Sequence, residues 1–346
     1  MSKKKEPNKS HSRPVTMHQI ARAAGVSLGT VSNVINGNAT VKEKLRLRVL
    51  QATQELGYTP NQLSRGLRLN KTNIIGMIIP DITNPFFPSV VRGVEDIAYQ
   101  HSFRLILCNT DNDARKEVTY LNDLRSFLPA GLLVIPAVDS SIKWSSQGVP
   151  VVCIDRRPVD WDGDYVVVAN HVGSAEAANY LLRLGHRHLG IITGPLTLTN
   201  AKERLDGFES ALREARITLA PEHIQEARFD LESGQKAAMR LLRLLPRPTA
   251  IYATNDLMAL GALAAVRESG LSCPEDVSII SFDGQEFSQY SSPALTAVYQ
   301  PGYQMGNTAA RLLLERIEGS KKNRQAIVLP TQLRVRDSVA SLGANS

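Results

Sequence analysis

The sequence predicts two unlike parts: a small all-α head of helix-turn-helix form, then an α/β body of two doubly wound parallel-sheet lobes. Three observations predict it. At 346 residues and 43% hydrophobic content, the chain is too long for one typical core and apolar enough to fill two or three. Residues 14–37 hold two short amphipathic stretches on either side of Gly25. From Ile74 onward, short apolar runs alternate with amphipathic stretches of helical period, the pattern of parallel sheets covered on both faces.

In chain order, residues 1–13 are rich in Lys, Ser and Pro, lack an apolar run, and read as a disordered basic tail rather than as a signal peptide. Thr16 suits the N-cap of a first helix, its side-chain oxygen accepting from an otherwise orphaned N–H. Ile20, Ala23 and Ala24 then share one face. Gly25 permits a sharp turn that a Cβ would obstruct. Ser27 caps a second helix with the apolar stripe Val31, Val34 and Ile35. Two short helices joined at such a turn form a helix-turn-helix, and the second has the width to lie in a DNA major groove. A third helix is expected over 41–57 with the stripe Leu45, Val49, Ala52 and Leu56, stopped by Gly57. Residues 58–68 are short and basic, with Pro60 at a helix start. They are too short to be helical alone, and Gly66 worsens this by about 1 kcal/mol.

In the body, strands are expected at Ile74–Ile79, Leu105–Cys108, Leu132–Ile135, Val151–Ile154, Val166–Val168, Leu189–Ile192, Ala250–Tyr252 and Val277–Ile280. Helices are expected at Ser89–His101, Arg115–Phe127, Ser174–Leu184, Lys202–Ala215, Gly234–Leu245 and Met258–Ser269. So many strands suit two lobes better than one sheet.

Charge separates the two parts. Residues 1–73 carry 13 Lys+Arg against 3 Asp+Glu, and the remainder 27 against 30, within a net +7. A basic head on a mildly acidic body points to a polyanion bound by the head alone. Cys108, Cys153 and Cys273 are odd in number and sit in or beside apolar stretches, so they read as buried thiols of a reducing compartment. No apolar run approaches the length of a membrane span, and a cytoplasmic location is expected.

Little supports catalysis, and neither cofactor nor metal is expected. Gly25–Gly29 matches a Gly-x-Ser-x-Gly pattern but lies between two helices instead of at a strand-to-helix elbow. His186 and His188 lack a partner at ligand spacing, and Asp111-Asn112-Asp113 lacks the other ligands of a calcium loop. No phosphate-cradling glycine loop appears.

The Gly-Val-Ser turn at 25–27, Thr-Val-Ser-Asn-Val-Ile-Asn at 30–36, the third basic helix and the Tyr-x-Pro-Asn linker at 58–61 together resemble the LacI/GalR family of bacterial transcriptional regulators. The resemblance covers residues 14–340. It implies a tail at 1–13, a DNA-binding head at 14–59, a hinge helix at 60–73, and an effector-binding and dimerisation domain at 74–346 of the periplasmic-binding-protein type I fold. The lobes would be crossed near 170, 300 and 330. In the head, Leu28, Gly29, Thr30, Ser32, Asn33 and Asn36 would face base edges, with Asn matched to adenine and Leu28 to a thymine methyl. Leu28 and Gly29 depart from the polar readers of other members, and Asn33 stands where Arg is common. Thr16, Ser27, Tyr58 and Asn61 would orient the head on phosphates. In the hinge, Ser64, Arg65 and Arg68 would join Leu67, which would wedge into the minor groove.

For the effector, Asn84 beside Phe86 and Phe87 follows the first strand, where ligands bind parallel sheets. The Asn-Pro turn could equally serve packing, so one aromatic is expected to face the cleft and one the core. Asp111, Asp155, Arg156, Phe229, Asn255, Asp256, Asp283 and Gln300 complete the set, and Arg204 matches the family's effector-clamping arginine. Asp256 is also expected to cap the helix starting at Leu257. Ala169 departs from the Asp common before Asn170. The implied activity is a dimeric, sequence-specific DNA-binding repressor on a near-palindromic operator, controlled by a sugar or sugar acid. A purine or nucleoside effector and a protein corepressor are the alternatives, followed by a solute-binding protein or a sugar-acting enzyme.

Overall fold

A computed structural model describes residues 15–35, 41–58, 72–137, 148–158 and 160–342. The expectations on the tail at 1–13 and on Asn36, Asn61, Ser64, Arg65, Leu67 and Arg68 fall outside these residues. The chain divides into two compact units, Met1–Leu69 and Asn70–Ser346.

The first unit contains α1 (Met17–Ala24), α2 (Leu28–Ile35) and α3 (Glu43–Glu55). A capping box opens α1, in which the Gln19 side chain accepts from the Thr16 N–H at 2.8 Å. Gly25 closes it in the left-handed region at φ +60, which costs glycine nothing. Ser27 Oγ accepts from Thr30 N–H at 3.1 Å and so starts α2. Ile20, Ala21, Ala24, Val31, Val34, Val49 and Ala52 form the core. Leu56 corrects the expected stripe: it is the C-cap residue of α3 and is 38% exposed, because the helix ends before its side chain can turn inward.

The second unit holds two six-stranded sheets. The first runs β11-β5-β4-β3-β1-β2, built from β1 (Ile74–Ile79), β2 (Arg104–Asn109), β3 (Gly131–Val134), β4 (Val151–Ile154), β5 (Asp164–Val168) and β11 (Ala326–Leu329). Its pairings are all parallel. Helices α4 (Phe86–Gln100), α5 (Ala114–Ser126) and α10 (Gly302–Ile317) flank it. The second runs β12-β10-β9-β8-β6-β7, from β6 (Leu189–Thr193), β7 (Ile224–Glu226), β8 (Ala250–Ala253), β9 (Ser278–Asp283), β10 (Thr296–Tyr299) and β12 (Gln332–Arg334). It is flanked by α6 (Asn170–Arg183), α7 (Thr199–Glu214), α8 (Leu231–Leu242) and α9 (Asp256–Glu268). One pairing departs from the expected parallel sheet: β12 meets β10 antiparallel, since only two residues separate it from β11 and it serves as a short edge strand. The chain passes between sheets after β5, after β10 and after β11.

Packing fixes the lobes. Gly93 of α4 and Gly306 of α10 lie where a Cβ would collide with the carbonyl oxygens of Tyr303 and Val90, so the two helices approach backbone to backbone. The strands are near-continuous apolar runs because helices cover both faces; all four residues of β3, β4 and β8 are buried. This orientation leaves the carboxyl ends of the parallel strands as the place where loops of both lobes meet.

Candidate functional site

In the head, α2 buries Val31 and Val34 and exposes Leu28, Gly29 and Asn33, with Thr30 and Ser32 half-buried. Thr30 and Ser27 also share a hydroxyl hydrogen bond of 2.9 Å, so Thr30 is oriented by the cap of its own helix. Tyr58 packs half-buried against the head core, and Thr16 stands exposed at the start of α1. A short helix whose outer face is uncharged and hydrogen-bonding can enter a major groove without a strong electrostatic preference of its own.

In the body, a cleft of about 400 Å³, open to solvent at its mouth, gathers residues from several strand ends. Every expected effector residue except Asp111 and Asp256 lines it. β1 delivers Asn84, Phe86 and Phe87; β4 delivers Asp155 and Arg156; β8 delivers Asn255; β9 delivers Asp283; and β10 delivers Gln300. Arg204 comes from α7, and Phe229 from the turn between β7 and α8. Both phenyl rings, Phe86 and Phe87, line the cleft and both belong to the core, packed edge to face at 5.2 Å. The expected division of labour between them is thereby corrected: one helical turn at the rim gives both rings the same two duties.

Arg204 is held from several sides within the cleft. Its Nε donates to Asn170 Oδ1 at 2.9 Å, its Nη1 donates to the Thr254 carbonyl at 2.7 Å, and Nη1 lies 3.6 Å from Asp283 Oδ1. The guanidinium stacks on Phe282 with Cζ 3.8 Å from the ring centre. Gln300 Nε2 donates to Asp283 Oδ1 at 2.5 Å. Burial pushes the Asp283 carboxyl well above its ordinary range, while Arg204 pulls it back. Asp155, at φ +64, accepts from Asn200 Nδ2 at 3.0 Å and stands 3.6 Å from Arg156 Nε. Burial raises the Asp155 carboxyl and lowers the Arg156 guanidinium, each opposed by the other's charge. Four buried polar atoms here have no hydrogen-bond partner: Asp155 Oδ1, Gln300 Oε1, and Arg156 Nε and Nη1.

Two expected residues lie elsewhere. Asp111 (φ +53) is exposed; it pairs with Lys116 in the first turn of α5 and accepts from Asn109 Nδ2 at 2.6 Å, and the same tight turn brings Asn112 to the cleft instead. Asp256 is buried behind the site, accepting from the Ser281 hydroxyl at 2.6 Å and the Gln285 N–H at 2.7 Å. It does not cap α9 either: Asn255 does, accepting from Met258 N–H at 2.8 Å. Asp81, Asn112, Asn200 and Arg228 line the cleft and were not singled out in the sequence. Asn200 carried a usable signal, since it precedes Arg204 by four residues and shares its helical face. Among the described residues no cluster of His, Cys, Asp and Glu could hold a metal ion, and no helix is long and apolar enough to cross a membrane.

Comparison with known proteins agrees with both parts. Residues 16–61 match the family described as bacterial regulatory proteins, lacI family, and residues 178–339 match the periplasmic binding protein-like domain. The HTH-type transcriptional repressor PurR of Aliivibrio salmonicida is 36% identical over 332 residues, covering 94% of this chain and 99% of the relative. The ribose operon repressor of Haemophilus influenzae is 36% identical over 330 residues, with the same coverage. Among solved structures, the lac repressor dimer bound to operator and the anti-inducer ONPF superposes with a TM-score of 0.85 at 26% identity, over 95% of this chain and all of that one. The chain therefore belongs to the lacI family of bacterial regulatory proteins, and it is a DNA-binding transcriptional regulator rather than an enzyme.

Proposed function

We propose that this regulator is a repressor, acting as a dimer on a near-palindromic operator and controlled by a neutral monosaccharide bound in the interlobe cleft. The observation that carries the ligand class is the set of four buried polar atoms without a hydrogen bond. Two are acceptors, Asp155 Oδ1 and Gln300 Oε1, and two are donors, Arg156 Nε and Nη1. An unmade bond at a buried polar group costs about 1–3 kcal/mol. A hydroxyl both donates and accepts, so neighbouring hydroxyls of one sugar satisfy all four. With both carboxyls ionised the cleft's buried charges also balance: Asp155 and Asp283 oppose Arg156 and Arg204. A sugar acid would add an unpaired charge to that set, which favours an uncharged sugar. Phe86, Phe87 and Phe229 supply apolar faces for the C–H side of a pyranose or furanose ring.

The two lobes share the ligand. Asp155 and Arg156 belong to the first and Arg204, Asn255 and Asp283 to the second, while Asn200 and Thr199 reach across from α7 to Asp155 and to the Arg157 backbone. A ligand that bonds to both lobes stabilises their closed arrangement. In a dimer this changes the separation of the segments entering the two heads, and coupling of about 1–3 kcal/mol would change operator affinity roughly 5–150-fold. The dimer and the operator are supported by the likeness to the lac repressor complex.

The ribose operon repressor among the relatives makes ribose the first compound to test, and PurR makes a purine the second reading. Isothermal titration of the full chain with ribose, common hexoses, a sugar acid, adenine and guanine decides between them. The expected result is binding of one neutral sugar, abolished by Asp155→Ala. Binding of a purine alone would overturn the sugar assignment.

A further inference from the structure

Lobe 2 has a second unusual surface at the end opposite the cleft, where the amino ends of β6 and β8 lie side by side. Leu189 opens β6 opposite Ala250 of β8, and Thr249 N–H donates to the His188 carbonyl at 2.8 Å. The chain's last described residues join them. Leu342 N–H donates to the Leu184 carbonyl at 2.8 Å, and the His186 ring bridges the Thr249 hydroxyl and the Ala340 carbonyl, each at 3.0 Å. The three segments that meet here, 177–189, 242–250 and 338–342, contain no Asp or Glu.

They do contain Arg183, Arg187, His188, Arg243 and Arg247, all exposed except the half-buried Arg247. Among the described residues none of these arginines pairs with a carboxylate. Arg183 lies over the Tyr180 ring at 5.9 Å, and Arg187 donates to the Leu182 and His186 carbonyls at 2.9 and 3.1 Å, so two of the charges are held in place. Helix dipoles account for Arg183 and Arg243, which stand at the carboxyl ends of α6 and α8. They do not account for Arg187, Arg247 or Leu245. Leu245 is 96% exposed, more than any other large apolar side chain described, and it stands in the sequence between Arg243 and Arg247.

We propose that this basic pole docks an acidic protein segment that lays an apolar side chain against Leu245. Charge complementarity sets the sign of the partner, and an exposed apolar side chain flanked in sequence by Arg243 and Arg247 combines residue types found at interface centres. A nucleic acid would satisfy the arginines but leave Leu245 without a partner, which favours protein. On one side the patch is bounded by Glu275 and Asp276, in the loop before β9, whose Ser278 N–H donates to the Thr249 carbonyl at 3.0 Å. On the other side the exposed Glu222 precedes β7, the neighbour of β6, so carboxylates flank the basic residues on both sides and confine an acidic segment to the strip between them.

Fluorescence anisotropy on the full chain tests this with two labelled synthetic peptides, one of Asp, Glu and Leu and one of equal charge lacking Leu. The basic head also attracts acidic peptides, so the readout is the difference between wild type and variants of the pole. Arg243→Glu with Arg247→Glu should weaken both peptides about tenfold or more. Leu245→Ser should weaken the leucine-containing peptide about tenfold and leave the other unchanged. All three positions lie at the surface, and thermal melting reports whether the variants fold. Equal binding by wild type and the charge-reversed variant would overturn the proposal. So would competition by an RNA duplex that Leu245→Ser leaves intact, which would make the pole a general polyanion face.

Discussion

In the head the residues proposed to face DNA stand outside a small apolar core, whereas in the cleft the residues proposed to hold the effector are themselves interior. Leu28, Gly29 and Asn33 are exposed over a seven-residue core, while Asp155, Arg156, Arg204 and Asn255 are each at most 3% exposed. The difference teaches where mutational cost should fall. A head residue can change what is read without touching the fold. A cleft residue cannot, because each buried charge there is balanced by another.

The largest effect is expected from breaking the head alone. Ile20→Ala removes a fully buried side chain from its small core, at a cost of about 2–5 kcal/mol that a domain of this size cannot carry. Operator binding should vanish while calorimetry shows effector binding by the body unchanged. Loss of both would mean the two units are not independent.

Next is the balance of charge in the cleft. Arg204→Met leaves Asp283 buried beside Gln300 without its guanidinium and should destabilise the body by about 3–5 kcal/mol. Adding Asp283→Asn should restore part of this, as read by denaturant unfolding. A loss under 1 kcal/mol for the single variant would show that the pair is solvated.

The third expectation concerns pH. Burial raises the Asp256 carboxyl from 3.8 to about 6, against hydrogen bonds from Ser281 and Gln285. Such a group binds its proton more tightly folded than unfolded, so its contribution to stability is full below pH 4 and is lost as pH rises through about 6. Asp155 and Asp283 shift in the same direction. Thermal melting of the body between pH 4 and 7 should show the decline, and Asp256→Asn, which can still bond to both neighbours, should flatten it.

The smallest effect on the fold belongs to the head surface. Asn33→Ala should leave stability within about 0.5 kcal/mol of wild type. It should cost about 1–3 kcal/mol of discrimination at one base pair with nonspecific binding unchanged, as read by anisotropy on operator and scrambled duplexes. Equal losses on both duplexes would remove Asn33 from direct readout.

The same contrast explains what could be read from the sequence. The head was legible because periodicity marks an apolar stripe, and Ile20, Val31, Val34 and Val49 fall where the stripe puts them. The central strands except β10 (Thr296–Tyr299), which is short and holds only two strongly apolar residues, were legible as apolar runs. The edge strands β7, β11 and β12 were not, because their exposed and half-buried residues break any run, and β7 and β12 have only three residues each. Helix α10 is absent from the expected helices; it starts at Gly302, directly after the expected crossing near 300. In the cleft, polar residues at strand ends were found by position, yet position does not say which way a turn points. Asp111 and Asn112 are neighbours with nearly equal positive φ, and only the second lines the cleft. Asp256 shows the same limit: a carboxylate at a strand end can serve the loop behind the site as readily as the site.

The most direct test of the whole account is operator anisotropy at fixed salt, with ribose and then other neutral monosaccharides titrated into the protein–DNA complex. The account predicts that one of them changes operator affinity roughly 5–150-fold, and that Asp155→Ala keeps DNA binding but abolishes the change. A full response surviving in Asp155→Ala, or a response to purines with none to any sugar, would contradict it.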